Sequence, residues 1–294
     1  MTLTFGEVAE NHVRMQQLGK MADDGFGLDD LQRAMSWFSE RGVRCELLAL
    51  HEAFSTERVG DGVEKKPGSE AIAECEPAWV LIARDGLSAL GCDKDALMQE
   101  HAALPADRKA FMRGRVVNKH ARYNLCYADF DQEPEYAAAK GRVVSYARVP
   151  LLRRLRKRLP EALGARAETL NCELNVYYDA SCTGIGFHGD AERKRVVAVR
   201  LGQPIPLHYH WFLRHVPVGT RVQLELQPGD MYVMSEKASG NDWRRSSVPT
   251  LRHAAGASKF LRLPAYSSKA TGKRRRKEAR TESGPGKLKR KKEK

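Results

Sequence analysis

His188 and Asp190, separated by one glycine in Gly184-Ile-Gly-Phe-His188-Gly-Asp190, place an imidazole and a carboxylate on the same side of an extended segment. Gly184 and Gly186 allow the backbone to turn tightly just before the pair. A third ligand would complete a metal site, and His253 in Thr250-Leu-Arg-His-Ala-Ala-Gly256, beyond the Gly229-Asp230 turn, is the natural candidate. Two imidazoles and one carboxylate on one face of a metal leave positions open. That arrangement suits Fe(II), which must bind a co-substrate and dioxygen together. An isolated His-x-Asp pair also arises by chance in ordinary hydrogen-bonded loops. His208-Tyr-His210 with His215 is a rival cluster, but no carboxylate follows it at ligand spacing, and it reads as alternating strand histidines.

The elements that would position these groups are short. From Arg115 onward, runs such as Tyr123–Tyr127, Arg142–Tyr146, Glu173–Tyr178, Arg195–Leu201, His208–Leu213, Val222–Leu226 and Met231–Met234 are punctuated by Gly, Pro, Asn and Asp and read as strands. One interruption is helical: Val149 to Leu159 presents Leu151, Leu152, Leu155 and Leu159 on one side and a basic comb on the other. Many short strands with one basic helix predict a double-sheet β core of the jelly-roll type. Upstream, Leu28 to Gly42 predicts an amphipathic helix with a glycine at its C-terminal end, and Val43–Leu50 and Ala78–Ala83 predict strands around a polar loop, 55–70. Asp93 to Gly114 reads as helical, with Pro105 opening a second turn. The expected organisation is α+β: an N-terminal α/β extension over 1–112 as an accessory layer, a catalytic core over 113–268, and a tail over 269–294.

Composition limits the class. In 294 residues with 42% hydrophobic content there is material for a sizeable core. No apolar run approaches a bilayer span, and the charged first residues are unlike a signal peptide, so the expectation is a protein that is neither membrane-bound nor secreted. Cys45, Cys75, Cys92, Cys126, Cys172 and Cys182 lack CxxC spacing, which argues against a zinc cluster or a disulfide framework. The net charge of +13 is concentrated at one end: residues 269–294 hold thirteen Lys or Arg against three Glu, a balance of +10. With almost no apolar residues to offset folding entropy, this segment is expected to be disordered. Its two basic clusters, Lys273–Lys277 and Lys287–Lys292, resemble a bipartite nuclear import signal read by an import receptor. They would also bind phosphate backbones. Nuclear localisation follows if the source is eukaryotic, and cytoplasmic otherwise.

Asn175-x-Tyr177, then Gly184-Ile-Gly186-Phe-His188-x-Asp190-x-Glu192, then Gly229-Asp230-Met-Tyr-Val-Met234 and the later His253, resembles the AlkB-like branch of the Fe(II)- and 2-oxoglutarate-dependent dioxygenases across roughly residues 113–266. The resemblance implies a double-stranded β-helix, with dioxygen and 2-oxoglutarate as co-substrates and succinate and carbon dioxide as co-products. It implies that His188, Asp190 and His253 hold the iron and that Asn175 and Tyr177 contact 2-oxoglutarate. It further implies a nucleic-acid partner and oxidative demethylation of alkylated bases, for which Ala121–Asp129 resembles a nucleotide-recognition lid. Hydroxylation of a C-methyl base or of a protein side chain is the alternative within the enzymes, and a catalytically inactive nucleic-acid-binding protein the alternative outside them. Tyr123 and Tyr127 are candidates to stack on a flipped base. The family's final core strand carries an arginine, where this chain offers Lys259-Phe-Leu-Arg262. Arg262 could pair bidentately with the distal carboxylate, and Lys259 only as a point charge. Ser235–Ser247 is a longer connection than usual, expected as a rim loop in which Trp243 and Arg244 suit base stacking and phosphate contact.

Overall fold

Alternation and turn residues make most of the described elements strands, in the order β1 (Thr2–Gly6), β2 (Val8–Glu10), β3 (Gln17–Gly19), α1 (Leu28–Ser39), β4 (Cys45–Ala49), β5 (Trp79–Ala83), α2 (Gly86–Ala89) and α3 (Lys94–Ala102). They continue as β6 (Lys109–Met112), β7 (Arg115–Asn118), β8 (Tyr123–Ala128), β9 (Val143–Ser145), α4 (Pro150–Leu163), β10 (Asn171–Val176), β11 (Gly184–His188) and β12 (Val196–Arg200). The series closes with β13 (Leu207–Leu213), β14 (Val216–Leu224), β15 (Met231–Met234), α5 (Glu236–Ser239) and β16 (Thr250–Gly256). This computed structural model describes residues 1–55 and 75–263, so the polar loop expected over 55–70, apart from its first residue, and the basic tail lie outside the described residues.

A large sheet runs β4-β5-β15-β12-β1-β10-β8-β9 and a smaller one β11-β16-β13-β14; all neighbours are antiparallel except β8 and β9. Period-2 alternation gives each large-sheet strand two apolar destinations. Leu3, Phe5, Leu125, Leu174, Val197 and Val199 share one cluster with Leu31 and Phe38 of α1 and Leu155 and Leu159 of α4. Val80, Ile82, Val196, Ala198 and Tyr232 share another with Leu207, Tyr209, Trp211 and Leu251 of the small sheet. Helices therefore cover one face of the large sheet and the small sheet covers the other, giving a sheet-rich α+β fold.

The first hundred residues are not a separate accessory layer. Thr2-Leu-Thr-Phe-Gly6 pairs with β10 on one side and β12 on the other, at the centre of the large sheet, and β4 and β5 extend that sheet beyond β15. Residues Met1–Arg262 form one compact unit. Pairings across about 170 to 200 residues of chain leave no local trace, so an N-terminal strand reads as an appendage until its partners are known. A second correction concerns 93–114. The helix stops at Ala102, and Lys109–Met112 pairs with Arg115–Asn118 around Arg113 and Gly114, both at positive φ, the two-residue turn that matches strand twist. The expected helices at 28–42 and 149–159 are present as α1 and α4, and all six cysteines are free. Among the described residues no helix is long and apolar enough to cross a membrane.

The helix side of the core contains a pH-sensitive pair. His101 lies buried with Nδ1 2.8 Å from the Tyr127 hydroxyl, and burial pushes its pKa down from 6.5 to about 4. Below pH 6.5 the unfolded chain takes up a proton that the folded chain refuses. Stability should therefore fall between pH 6.5 and about 4, by up to about 3 kcal/mol at the acid end. Denaturant midpoints at pH 7 and pH 4.5 for wild type and His101→Gln provide the check. The variant should lose less stability on acidification, and an equal loss would exclude this origin.

Candidate metal centre

β11 ends at His188, and β16 lies beside it with His253 directly opposite His188 in register. Asp190 follows in the turn. Its Oδ1 lies 3.5 Å from His188 Nε2 and 3.5 Å from His253 Nε2, so three ligand atoms converge on one point. Together these residues could hold a metal ion, and among the described residues no other His, Cys, Asp and Glu cluster meets that geometry. His208 and His210 of β13 pair with Ala254 and Arg252, the β16 residues that alternate with His253, and so face away from the triad.

The ligands are prepared for a cation. Two carbonyl oxygens, Gly186 O at 2.8 Å and His253 O at 3.0 Å, face His188 Nδ1 and require it to be the donor, which leaves Nε2 with a free lone pair. Burial, with His253 adding, pushes the His188 pKa down to about 3, so the ring is neutral. Burial alone would raise the Asp190 carboxyl, but Arg193 and the two imidazoles outweigh it and hold it well below the usual carboxylate range. Arg193 is itself buried, with Nε 3.2 Å from Asp190 Oδ2 and Nη2 3.0 Å from Glu173 Oε1 and 2.9 Å from Glu192 Oε1.

Gly189 has a specific steric reason. A Cβ there would collide with the carbonyl of Gly240, because the 235–243 segment runs against the metal loop. Asp190 N donates to Ser239 O at 2.9 Å, and Asn241 Nδ2 donates to the carbonyls of Asp190, Ala191 and Arg193 at 3.2–3.3 Å. The long connection expected as a rim loop is therefore, in its first half, a clamp on the ligand loop. Its second half places the Trp243 ring near the guanidinium groups of Arg252, 5.2 Å away, and Arg244, 5.5 Å away. Arg252 alternates with His253 on β16, so Trp243 stands against a residue of the sheet face opposite the triad.

The remaining expected residues separate. Asn175 is buried, its Oδ1 accepting from Arg122 Nε at 2.6 Å and Asn124 Nδ2 at 2.8 Å while Nδ2 donates to Glu173 Oε1 at 3.2 Å. It thereby joins the carboxylate that holds Arg193. Tyr177, one alternation further along, lies within electrostatic reach of the buried Tyr232. Tyr123 stacks on exposed Tyr178 at 4.3 Å and 17°, with the Arg108 guanidinium 5.1 Å from its ring. Tyr127, by contrast, is fully buried on the helix side against His101, and its place in a base-stacking lid is excluded. Lys259 and Arg262 are also displaced: among the described residues no strand follows β16, and both lie exposed in and just after a 3₁₀ turn at Ser258–Phe260. The position between β10 and β12 is filled by β1.

A cation of β12, by contrast, points inward. Arg200, at the end of β12, shares its sheet face with Ala198 and is about 1% exposed. Its Nη1 donates to the Thr2 hydroxyl, its Nε is buried without a partner, and no carboxylate of the described residues pairs with it within 4.0 Å. Tyr232 sits among Arg200, Tyr177 and Asp190, its hydroxyl raised by burial, with Arg200 opposing the rise and the other two adding to it. Tyr209 pairs with His253 and presents a buried hydroxyl with no partner. The sequence signal for Arg200 is its place at the end of an apolar strand, Val196-Val-Ala-Val-Arg200, on the side opposite Val197 and Val199.

Fold and site together define a class: a sheet-rich α+β protein with a His-Asp-His centre, competent to hold a metal ion, between its two sheets. The chain matches no model of a known protein family. It belongs to the family of Uncharacterized protein R156 of Acanthamoeba polyphaga mimivirus, to which it is 44% identical over 262 residues, 89% of this chain and 97% of the viral protein.

Proposed function

We propose that this chain is an Fe(II)- and 2-oxoglutarate-dependent dioxygenase of the AlkB-like kind that acts on nucleic acid. The observation that carries the reading is the convergence of His188, Asp190 and His253 on one point, with His188 held so that its Nε2 is free to donate. We read the two sheets as a double-stranded β-helix in which β11-β16-β13-β14 faces β15-β12-β1-β10, the N-terminal strand taking the place of a closing strand after β16. Two imidazoles and one carboxylate leave open positions on the metal, as a co-substrate and dioxygen require. The buried, unpartnered Arg200 Nε and Tyr209 hydroxyl fit an acidic co-substrate between the sheets.

Fe(II), when bound, would couple oxidative decarboxylation of 2-oxoglutarate to attack on a substrate C–H bond. The chain's own residues do the positioning. His188 is held through Nδ1 by two carbonyls, and Asp190 is oriented by Arg193, which Glu173 holds in turn with Asn175 behind it. Arg122 and the Tyr123–Tyr178 stack lie beside Asn175 and offer a planar surface and positive charge for an extruded base. The basic tail would add sequence-independent affinity for phosphate backbones.

The test is incubation with Fe(II), 2-oxoglutarate and a panel of methylated DNA and RNA oligonucleotides, followed by succinate measurement and mass spectrometry of the nucleosides. Succinate with loss of a methylene mass is expected for demethylation, whereas gain of one oxygen would reveal stable hydroxylation of a C-methyl base. No succinate from well-folded protein across the panel would sink the proposal. Tyr178→Ala removes the stacking partner of Tyr123. It should weaken oligonucleotide binding by about 1–3 kcal/mol, measured by fluorescence anisotropy, while leaving metal affinity unchanged.

A further inference from the structure

We propose that Arg200, with the hydroxyls of Thr2 and Tyr209, forms the recognition site for the distal carboxylate of a dicarboxylic 2-oxo acid; this deepens the co-substrate reading above and rests on it. Neither exposed cation after β16 can serve, since Lys259 and Arg262 are both in water. Arg200 is the opposite case. A guanidinium with about 1% exposure and no carboxylate within ion-pair distance among the described residues carries an uncompensated charge, which is costly unless a ligand supplies the anion. Its unpartnered Nε and the donor set of a planar fork match a carboxylate's two oxygens.

Placement supports the assignment. Asn175, Thr2 and Arg200 stand side by side across β10, β1 and β12, on the face that looks toward the small sheet. On that small sheet Tyr209 is registered with the ligand His253, its ring 6.0 Å from the imidazole and its hydroxyl buried without a partner. Between these rows the inward residues include two small ones, Ala198 next to Arg200 and Ala255 next to His253. A molecule whose 2-oxo acid end meets the metal and whose far carboxylate meets Arg200 would satisfy every orphaned donor just described. The charge would thus come from β12, not from the segment after the second histidine, because β1 occupies the strand position between β10 and β12 and offers only Thr2 there.

The experiment measures binding, not turnover. Full-length protein loaded with Mn(II) under anaerobic conditions is titrated by calorimetry with 2-oxoglutarate and with 2-oxobutyrate, which lacks the distal carboxylate. Wild type should favour 2-oxoglutarate by about 10- to 100-fold, the worth of a charge-assisted pair. Arg200→Met should abolish that preference while retaining Mn(II) affinity, and Arg200→Lys should keep a reduced one. Should Arg200→Met fail to fold, the two-acid comparison on wild type and Arg200→Lys still decides. Undiminished preference in either variant overturns the assignment while leaving the co-substrate reading intact. Wild type that binds Mn(II) but neither oxo acid overturns both.

Discussion

Asp190→Ala should abolish metal binding while leaving the protein at least as stable as wild type. Asp190 is the only carboxylate of the triad, so its loss leaves only the two imidazoles. The expected fall in Mn(II) or Fe(II) affinity exceeds about 100-fold, beyond what removal of supporting residues costs. The unusual half of the expectation is stability. Truncating one member of a buried ion pair normally strands its partner, but Arg193 still faces Glu173 at 3.0 Å and Glu192 at 2.9 Å. The variant also relieves the crowding of three carboxylates around one guanidinium. Calorimetric titration with Mn(II), paired with a denaturation curve in a chelator, reads both quantities. Unchanged metal affinity in folded Asp190→Ala would remove the triad from consideration as a metal centre.

The second large effect has the reverse signature. Arg193→Met leaves Asp190, Glu173 and Glu192 without their shared cation, and the side chains of Asp190 and Glu173 are each less than 10% exposed. Breaking a buried ion network from one side costs about 3–5 kcal/mol. Because the metal would itself neutralise Asp190, the lost stability should return in part on adding Mn(II). Ligand linkage gives about 2.7 kcal/mol at a hundredfold excess over Kd. Denaturation midpoints of Arg193→Met with and without Mn(II) test this. Destabilisation that is equal in the presence and absence of metal would mean that Arg193 supports the fold alone and has no part in orienting the ligand.

Several elements are legible in the residue pattern alone. Leu28, Leu31, Met35 and Phe38 recur at helical spacing, and α1 begins and turns as that spacing requires. The strands around Glu173, Arg195, His208 and Met231 lie where alternation and turn residues put them, because both are local properties of a pleated, half-buried chain. Legibility stops where locality ends. Thr2–Gly6 has the same alternation as any other strand, but nothing nearby tells it to lie between β10 and β12. Lys259 and Arg262 are candidate anchors only if a strand follows His253. With β1 already paired to both neighbours, the place between β10 and β12 is taken, and among the described residues the chain after Gly256 passes into a 3₁₀ turn. Residue type suggests substrate contact for Trp243 and Tyr127, whereas the sheet face each one meets decides its role.

By itself the sequence determined the ligand types, the one-residue spacing that puts His188 and Asp190 on one side, and the glycine between them. Only the tertiary structure decided that His253, 65 residues further on, stands opposite His188 and that Arg200 turns inward beside Thr2. The reason is physical: side-chain direction within a strand follows from a two-residue period. Register between strands distant in the chain is chosen by the packing of two sheets and a helical layer, which no short stretch of residues contains.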